Sequence, residues 1–417
     1  MGTFNVYNVK TDYSAAGNGT TDDTTSIQNA INAAASTKGV VYFPDGTYKI
    51  TSPLRLPVNG QISLVGNNCT GTIIKKTTNT NGSTPTRAAR SGSVTDSFAV
   101  DSLISIDHPD NQYGENVVIE NLTLQGHSTN NTYAIYAPRT SRLVIRNVLT
   151  KKCNYGFFTY DSWLTIVESF EAENCNSVIK YANDGSDIGT GTSLTATRVY
   201  ANTCTIGYDI FGLSYSTFNS CACDIASSMA YRIDVSHGIT LNSCGAELIT
   251  GEVLYVAYSE LDVNGFRTYG IDGVEGGTHA YLWFEASKVS LNGCRFDDFA
   301  TPEDSLNMIV QGGATVTVNQ SKLPTGGNTF ISYLSGSSVI HLDGSGVTCK
   351  TRVDDERVGI ISNGVRMFFG SGAPGSGTWA RGDVIYDTTP SASGFIGWVC
   401  VTAGTPGTWK TFGAISA

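Results

Sequence analysis

A short pattern, a hydrophobic residue followed by Asn, any residue and Cys, recurs through the middle of this chain. It reads Phe218-Asn219-Ser220-Cys221, Leu241-Asn242-Ser243-Cys244 and Leu291-Asn292-Gly293-Cys294, with looser copies at Val263-Asn264-Gly265-Phe266 and Val318-Asn319-Gln320-Ser321. Tracked by its first apolar residue, the frame falls at Ile119, Ile145, Val167, Ala196, Phe218, Leu241, Val263, Leu291 and Val318. The steps of 22 to 29 residues are too long for a hairpin and too even for chance; a period of this size means a solenoid. Around each index residue the side chains alternate, as in Ile239, Leu241, Cys244, Ala246 and Leu248, with one break of phase at the Asn. Period two is the signature of strands. Two strands joined by a bend at Asn and stacked coil on coil at roughly 4.8 Å make a parallel β-helix, in which each Asn is expected to bond its counterparts above and below.

The N-terminus has a different texture. Gly17 to Thr24, GNGTTDDT, precedes an i, i+3, i+4, i+7 stripe of Ile27, Ala30, Ile31 and Ala34, so a helix capped by Thr or Asp is expected there. Gly39 to Tyr48, GVVYFPDGTY, reads as a strand ending in a Pro and Gly turn. Such a pair plugs the open end of a solenoid. The stretch Asp12 to Ile50 resembles the opening of the pectate-lyase-like superfamily, in the form found in bacteriophage tailspikes that degrade surface polysaccharides. Gly377 to Tyr386, GTWARGDVIY, and Gly397 to Gly413, GWVCVTAGTPGTWKTFG, are similar to the small β-module that closes many such spikes. The resemblance implies an all-β chain: an N-terminal cap over residues 1–50, a right-handed parallel β-helix over 51–345, and a C-terminal β-module over 346–417 for trimerisation or glycan binding. It implies a homotrimer in a virion tail, folded in the host cytoplasm, with a bacterial surface polysaccharide as partner and no cofactor or metal. Ile385, Trp398 and Trp409 would lie exposed outside such a trimer.

Composition suits this reading. The formal charge is −10 with no Lys/Arg run, which argues against nucleic acid. No apolar stretch approaches the roughly 18 residues that would cross a membrane. The start, Met-Gly-Thr-Phe, lacks the regions of a signal peptide, and a short or trimmed spike would account for the missing particle-attachment segment. Of the 10 cysteines six fall into two columns, Cys221, Cys244 and Cys294 in one and Cys153, Cys175 and Cys204 in another. Stacked, reduced, buried thiols are therefore expected in place of disulfides or a zinc site.

Chemistry must sit on the outward side chains. Six places after each index residue stand Gln125, Lys151, Glu173, Asn202, Asp224, Glu247, Tyr269 and Asp297; two places earlier stand Thr123, Leu149, Glu171, Tyr200, Ala222, Gly245, Arg267 and Arg295. At Ala222 and Gly245 the wall is low, so Asp224 and Glu247 are expected to border a recess flanked by Tyr269 and Arg267. On successive coils their carboxyls would lie roughly 5 Å apart, near the separation used by retaining glycosidases. One would serve as general acid and the other as base or nucleophile. Asp209 and Asp234, on the strand preceding the index column, are further catalytic candidates, and Glu285, on the equivalent strand two coils later, competes with them; each is otherwise a plain surface acid. Tyr269, Arg267, Glu173, Tyr200 and Arg295 are candidate substrate-binding residues. Hydrolysis of a surface glycan is the leading expectation. A lyase using Arg267, Arg295 or Lys151 beside an acidic sugar is the second, and a glycan-binding adhesin the third. The loop 183–191 is expected to be a turn and not a calcium site, and His108, His127, His237, His279 and His341 form no triad spacing. Trp163 and Trp283 are expected in the core.

Overall fold

The computed structural model describes residues 5–57, 61–78, 86–89, 92–95, 101–106, 113–127, 131–182, 191–272, 280–296, 299–300, 306–323, 330–334, 338–343, 349–353, 359–362 and 365–417. The fold class expected from the repeat is the one observed, a parallel β-solenoid of about 10 turns with a small C-terminal sheet. The chain divides into two compact units, Met1–Tyr255 with Thr268–Ile271, and Val256–Arg267 with Asp272–Ala417.

In the first unit Val41, Leu64, Ile119, Ile145, Val167, Ala196, Phe218 and Leu241 are successive register partners. None is more than 1% exposed. The index column therefore begins two coils earlier than the Asn pattern shows. In the second unit the same column runs through Val263, Leu291, Val318 and Leu342. Each such side chain contributes roughly 1.5–3 kcal/mol only when a neighbouring coil covers it, which ties the coils together.

The coils turn at columns of left-handed residues. One corner holds Asn121, Asn147, Ser169, Arg198, Ser220 and Ser243, all at positive φ. A second holds Lys152, Asn174, Thr203, Ile225, Leu248 and Gly270, with φ between 53 and 58°. Leu248 thus leaves the inward alternation expected of it: it stands 47% exposed while Ile249 turns into the core. The expected Asn ladder forms one place after the index residue, with Nδ2 to Oδ1 distances of 3.0 Å for Asn242–Asn219, 3.0 Å for Asn292–Asn264 and 2.7 Å for Asn319–Asn292; Asn147 and Asn121, one place further on in the left-handed column, bond at 2.8 Å. Where Glu168 replaces Asn, the stacking is ionic: Arg146 and Arg198 reach its two oxygens at 3.0 and 2.7 Å.

The helix Thr24–Thr37 buries Ile27, Ala30, Ile31 and Ala34, as the stripe requires. Its caps differ from expectation. The Asp23 carboxylate turns back to accept from the amides of Ala16 and Gly17 at 2.6 and 3.0 Å. Asp22 instead accepts from the Thr24 amide at 3.1 Å. Nearby, Lys76 is fully buried against Asp101, which also accepts from Thr132 at 2.8 Å and lies 3.2 Å from His127 Nε2.

The nine cysteines whose side chains are described are free thiols and, apart from Cys69, buried. Burial pushes Cys204 up to about 12 and holds Cys223 well above its usual range, so these thiols fill space. In the second unit, Gly359–Ser362 pairs antiparallel with Val365–Gly370, followed by Val384–Asp387, Phe395–Thr402 and Thr408–Ala414. Phe368, Trp379 and Trp409 pack edge to face at 4.8 and 5.1 Å. Ile385 is buried within this sheet at 3% exposure, which corrects the expectation that only a trimer would cover it. Trp398 and Trp409 are half-buried, and the exposed apolar residues are Phe395, Ile396 and Val401.

Candidate active site

The strand registers carry the outward columns with them. Lys151, Glu173, Asn202, Asp224 and Glu247 are consecutive partners, as are Leu149, Glu171, Tyr200, Ala222 and Gly245. Asp224 is half-buried and Glu247 exposed, each following a buried residue, Cys223 and Ala246. Tyr269 continues the furrow in the same unit: the Leu248 amide donates to its carbonyl at 3.1 Å, and its side chain is exposed.

Ala222 and Gly245 leave the floor of the furrow low. Because Ala222 is small, the Tyr200 ring can lean diagonally past it and donate its hydroxyl to Asp224 Oδ2 at 2.5 Å. That hydrogen bond is the main cause holding the Tyr200 phenol far above its usual range; burial and the charges of Asp224, Glu171 and Glu247 add to it. The floor is fixed from behind. Tyr208 and Tyr231 stack at 4.5 Å and 6° in the core. The Tyr208 hydroxyl lies 3.0 Å from the Ala222 carbonyl and 2.8 Å from that of Val199. Tyr231 likewise reaches the carbonyls of Cys221 at 2.9 Å and Gly245 at 3.3 Å.

Toward the N-terminus, Glu173 is held by Lys151 at 2.6 Å. Glu171, beside Tyr200, was not among the catalytic candidates, yet burial and the neighbouring Glu173 charge raise its carboxyl above the ordinary range. Its signal in the sequence is its place in the column beside Tyr200. Thr123, assigned outward, is buried and donates to the Cys69 carbonyl, because an earlier coil covers it.

The structure does not bring Asp209 and Asp234 to this furrow. They lie on the strand beyond the left-handed corner at Thr203 and Ile225. Lys180, Asp209 and Arg232 are register partners there. Asp209 is 6% exposed, with Lys180 Nζ at 2.5 Å and Arg232 at 4.0 Å, and Asp234 lies 3.7 Å from Arg232. In the second unit Arg267 and Arg295 are exposed; the Arg295 amide donates to the Phe266 carbonyl at 2.8 Å, and Arg295 bridges in register to Lys322. Glu285 there accepts from Gln311 at 3.1 Å. Trp163 packs on Tyr113 at 4.2 Å and is half-buried. Asp297, His108, His279 and the loop 183–190 lie outside the described residues.

Stacked parallel coils with side chains arrayed along an outer furrow define a parallel β-helix protein of pectate-lyase-like type. Residues 6–224, just over half of the chain, match the family described as rhamnogalacturonase A/epimerase, pectate lyase-like, and the chain belongs to that family. No curated protein sequence matches it significantly. Among solved structures it is similar to the gp42 tailspike of Acinetobacter phage vb_AbaP_AS12, at 19% identity and a TM-score of 0.69 over 94% of this chain and 68% of that one. It is also similar to PfbA, a surface adhesin of Streptococcus pneumoniae, at 13% identity and 0.55 over 99% of both chains. The catalytic unit of a GH87 α-1,3-glucanase from Streptomyces thermodiastaticus strain HF3-3 gives 12% and 0.52 over 86% of this chain and 69% of that one. At these identities the likeness is one of fold.

Proposed function

We propose that this chain cleaves a polysaccharide, hydrolysing glycosidic bonds of a bacterial capsular or surface glycan as part of a homotrimeric phage tailspike. The observation that carries the reading is the register pair Asp224 and Glu247, two residues beyond the small side chains of Ala222 and Gly245. Neighbouring strands lie about 4.8 Å apart, so the two acids can flank one glycosidic bond in the manner of a retaining pair. Asp224, fixed by Tyr200, acts as nucleophile; a reacting group held in one geometry gains most from proximity. Glu247, exposed on the next coil, protonates the leaving oxygen and then activates water. The glucanase likeness supports glycan cleavage as a use of this fold, and the tailspike likeness supports the virion setting. The test is incubation with purified bacterial capsules and weighing of the products. New saturated reducing ends support hydrolysis; intact chains throughout the panel would count against cleavage.

A lyase is the second reading. The exposed Arg267 and Arg295 of the second unit favour it, since elimination next to an acidic sugar needs a cation to neutralise its carboxylate. Products absorbing in the ultraviolet would select it over hydrolysis.

A further inference from the structure

Beside the acid pair, in the same unit, a groove of about 320 Å³ follows the second corner of the coils. Its polar lining includes Asn174, Thr203 and Ser227; its large apolar lining residues are Ile225 and Leu248. Ile225 and Leu248 are the residues next in sequence to Asp224 and Glu247. Both hold left-handed backbone, at φ 58 and 53°, and both are nearly half exposed, at 48 and 47%. A β-branched Ile at such a φ is strained, and Asn or Gly would serve this corner better, as they do at Asn174 and Gly270. Two aliphatic side chains therefore stand in water, at a conformational cost, on adjacent coils beside the acids. On the two preceding coils of the same column stand Thr203 and Asn174, with Ser227 two residues after Ile225; the Thr203 hydroxyl donates to Asn202 Oδ1 at 2.9 Å and keeps lone pairs to accept.

We propose that this groove seats a sugar unit carrying an acetamido group, its methyl against Ile225 and Leu248 and its amide toward Thr203 and Ser227. This rests on the reading of the Asp224 and Glu247 furrow as glycan-cleaving and adds the substrate class to it. An unsubstituted hexose offers the Ile225–Leu248 pair only a C–H face of its ring, with no methyl and no amide. A charged amino sugar offers no methyl and pairs poorly with neutral donors. A 6-deoxy sugar offers a methyl but no amide.

Saturation-transfer NMR on the full chain with N-acetylglucosamine, N-acetylgalactosamine, glucosamine and rhamnose tests the assignment. The strongest saturation is expected on an acetamido methyl, with binding about fivefold tighter than for glucosamine, as burial of one methyl implies. The double variant I225N/L248N should lose that signal while remaining folded by circular dichroism, because Asn accepts the left-handed corner. D224N/E247Q should keep it. Equal saturation of the rhamnose methyl, no methyl contact from any sugar, or an unchanged signal in I225N/L248N would each overturn the proposal. Failure of the cleavage reading shows elsewhere, as persistence of product formation in D224N/E247Q.

Discussion

The contact between Tyr200 and Asp224 depends on a missing side chain. Partners two residues apart on adjacent coils meet only diagonally, and the ring can cross because Ala222 is small. Tyr200→Phe removes the donor but leaves the ring. If Asp224 is the nucleophile, kcat/KM should fall about tenfold with stability reduced by roughly 1 kcal/mol, read from initial rates and denaturant unfolding. The pairing of Asp224 with Glu247 was legible from the sequence because the repeat alone sets it. The Tyr200 hydrogen bond was not, since it is a diagonal contact outside the column count. The ion pair of Asp209 was not legible for a related reason. Its neighbour Lys180 lies across the longest step of the repeat, 29 residues between Val167 and Ala196, where counting cannot supply the second strand's register. The buried Lys76 and Asp101 make a second residue-scale prediction. Asp101→Ala strands a cation and should cost about 3–5 kcal/mol in chemical denaturation; a loss below 1 kcal/mol would show that water reaches Lys76.

At the scale of the elements, corners and ladders divide the work. Asn292 is a middle rung, bonded to Asn264 on one side and Asn319 on the other. Asn292→Ala removes both bonds and leaves partner amides half-buried, so a loss of about 1–2 kcal/mol in urea unfolding is expected. The opposite sign is expected at the other corner. Ile225→Gly relieves left-handed strain and should raise stability by roughly 1 kcal/mol, a gain that a thermal melt can detect. The Asn bend was readable from the repeat. The second corner was not, because Lys152, Asn174, Thr203, Ile225 and Leu248 share a backbone conformation and no residue type. That is why Leu248 read as a core residue. The helix stripe was equally plain, whereas the Asp23 carboxylate, drawn to Ala16 and Gly17, serves a loop that no helix signal describes.

At the scale of the whole molecule, the buried phenols set an alkaline limit. Burial raises Tyr208 and Tyr231 well above their ordinary values, and Tyr48 is raised for the same leading reason. In the unfolded chain these groups ionise near pH 10. Above that pH the unfolded state binds fewer protons than the folded one, so stability is full below about pH 10 and falls as pH rises. Tyr208 and Tyr231 each remove up to roughly 1.4 kcal/mol per pH unit there. Denaturation midpoints from pH 8 to 11 should fall only on the alkaline side, and Tyr231→Phe should flatten the decline. The proposed trimer predicts a light-scattering mass three times that of one chain.

The central claim is that stacking makes one reactive pair of two acids separated by 23 residues of sequence. Once a capsule substrate is in hand, D224N and E247Q should be measured separately for product formation, with glycan binding followed in parallel. The account predicts that each single change lowers kcat by about 100-fold or more while binding persists. Cleavage at the unaltered rate in either variant would contradict it.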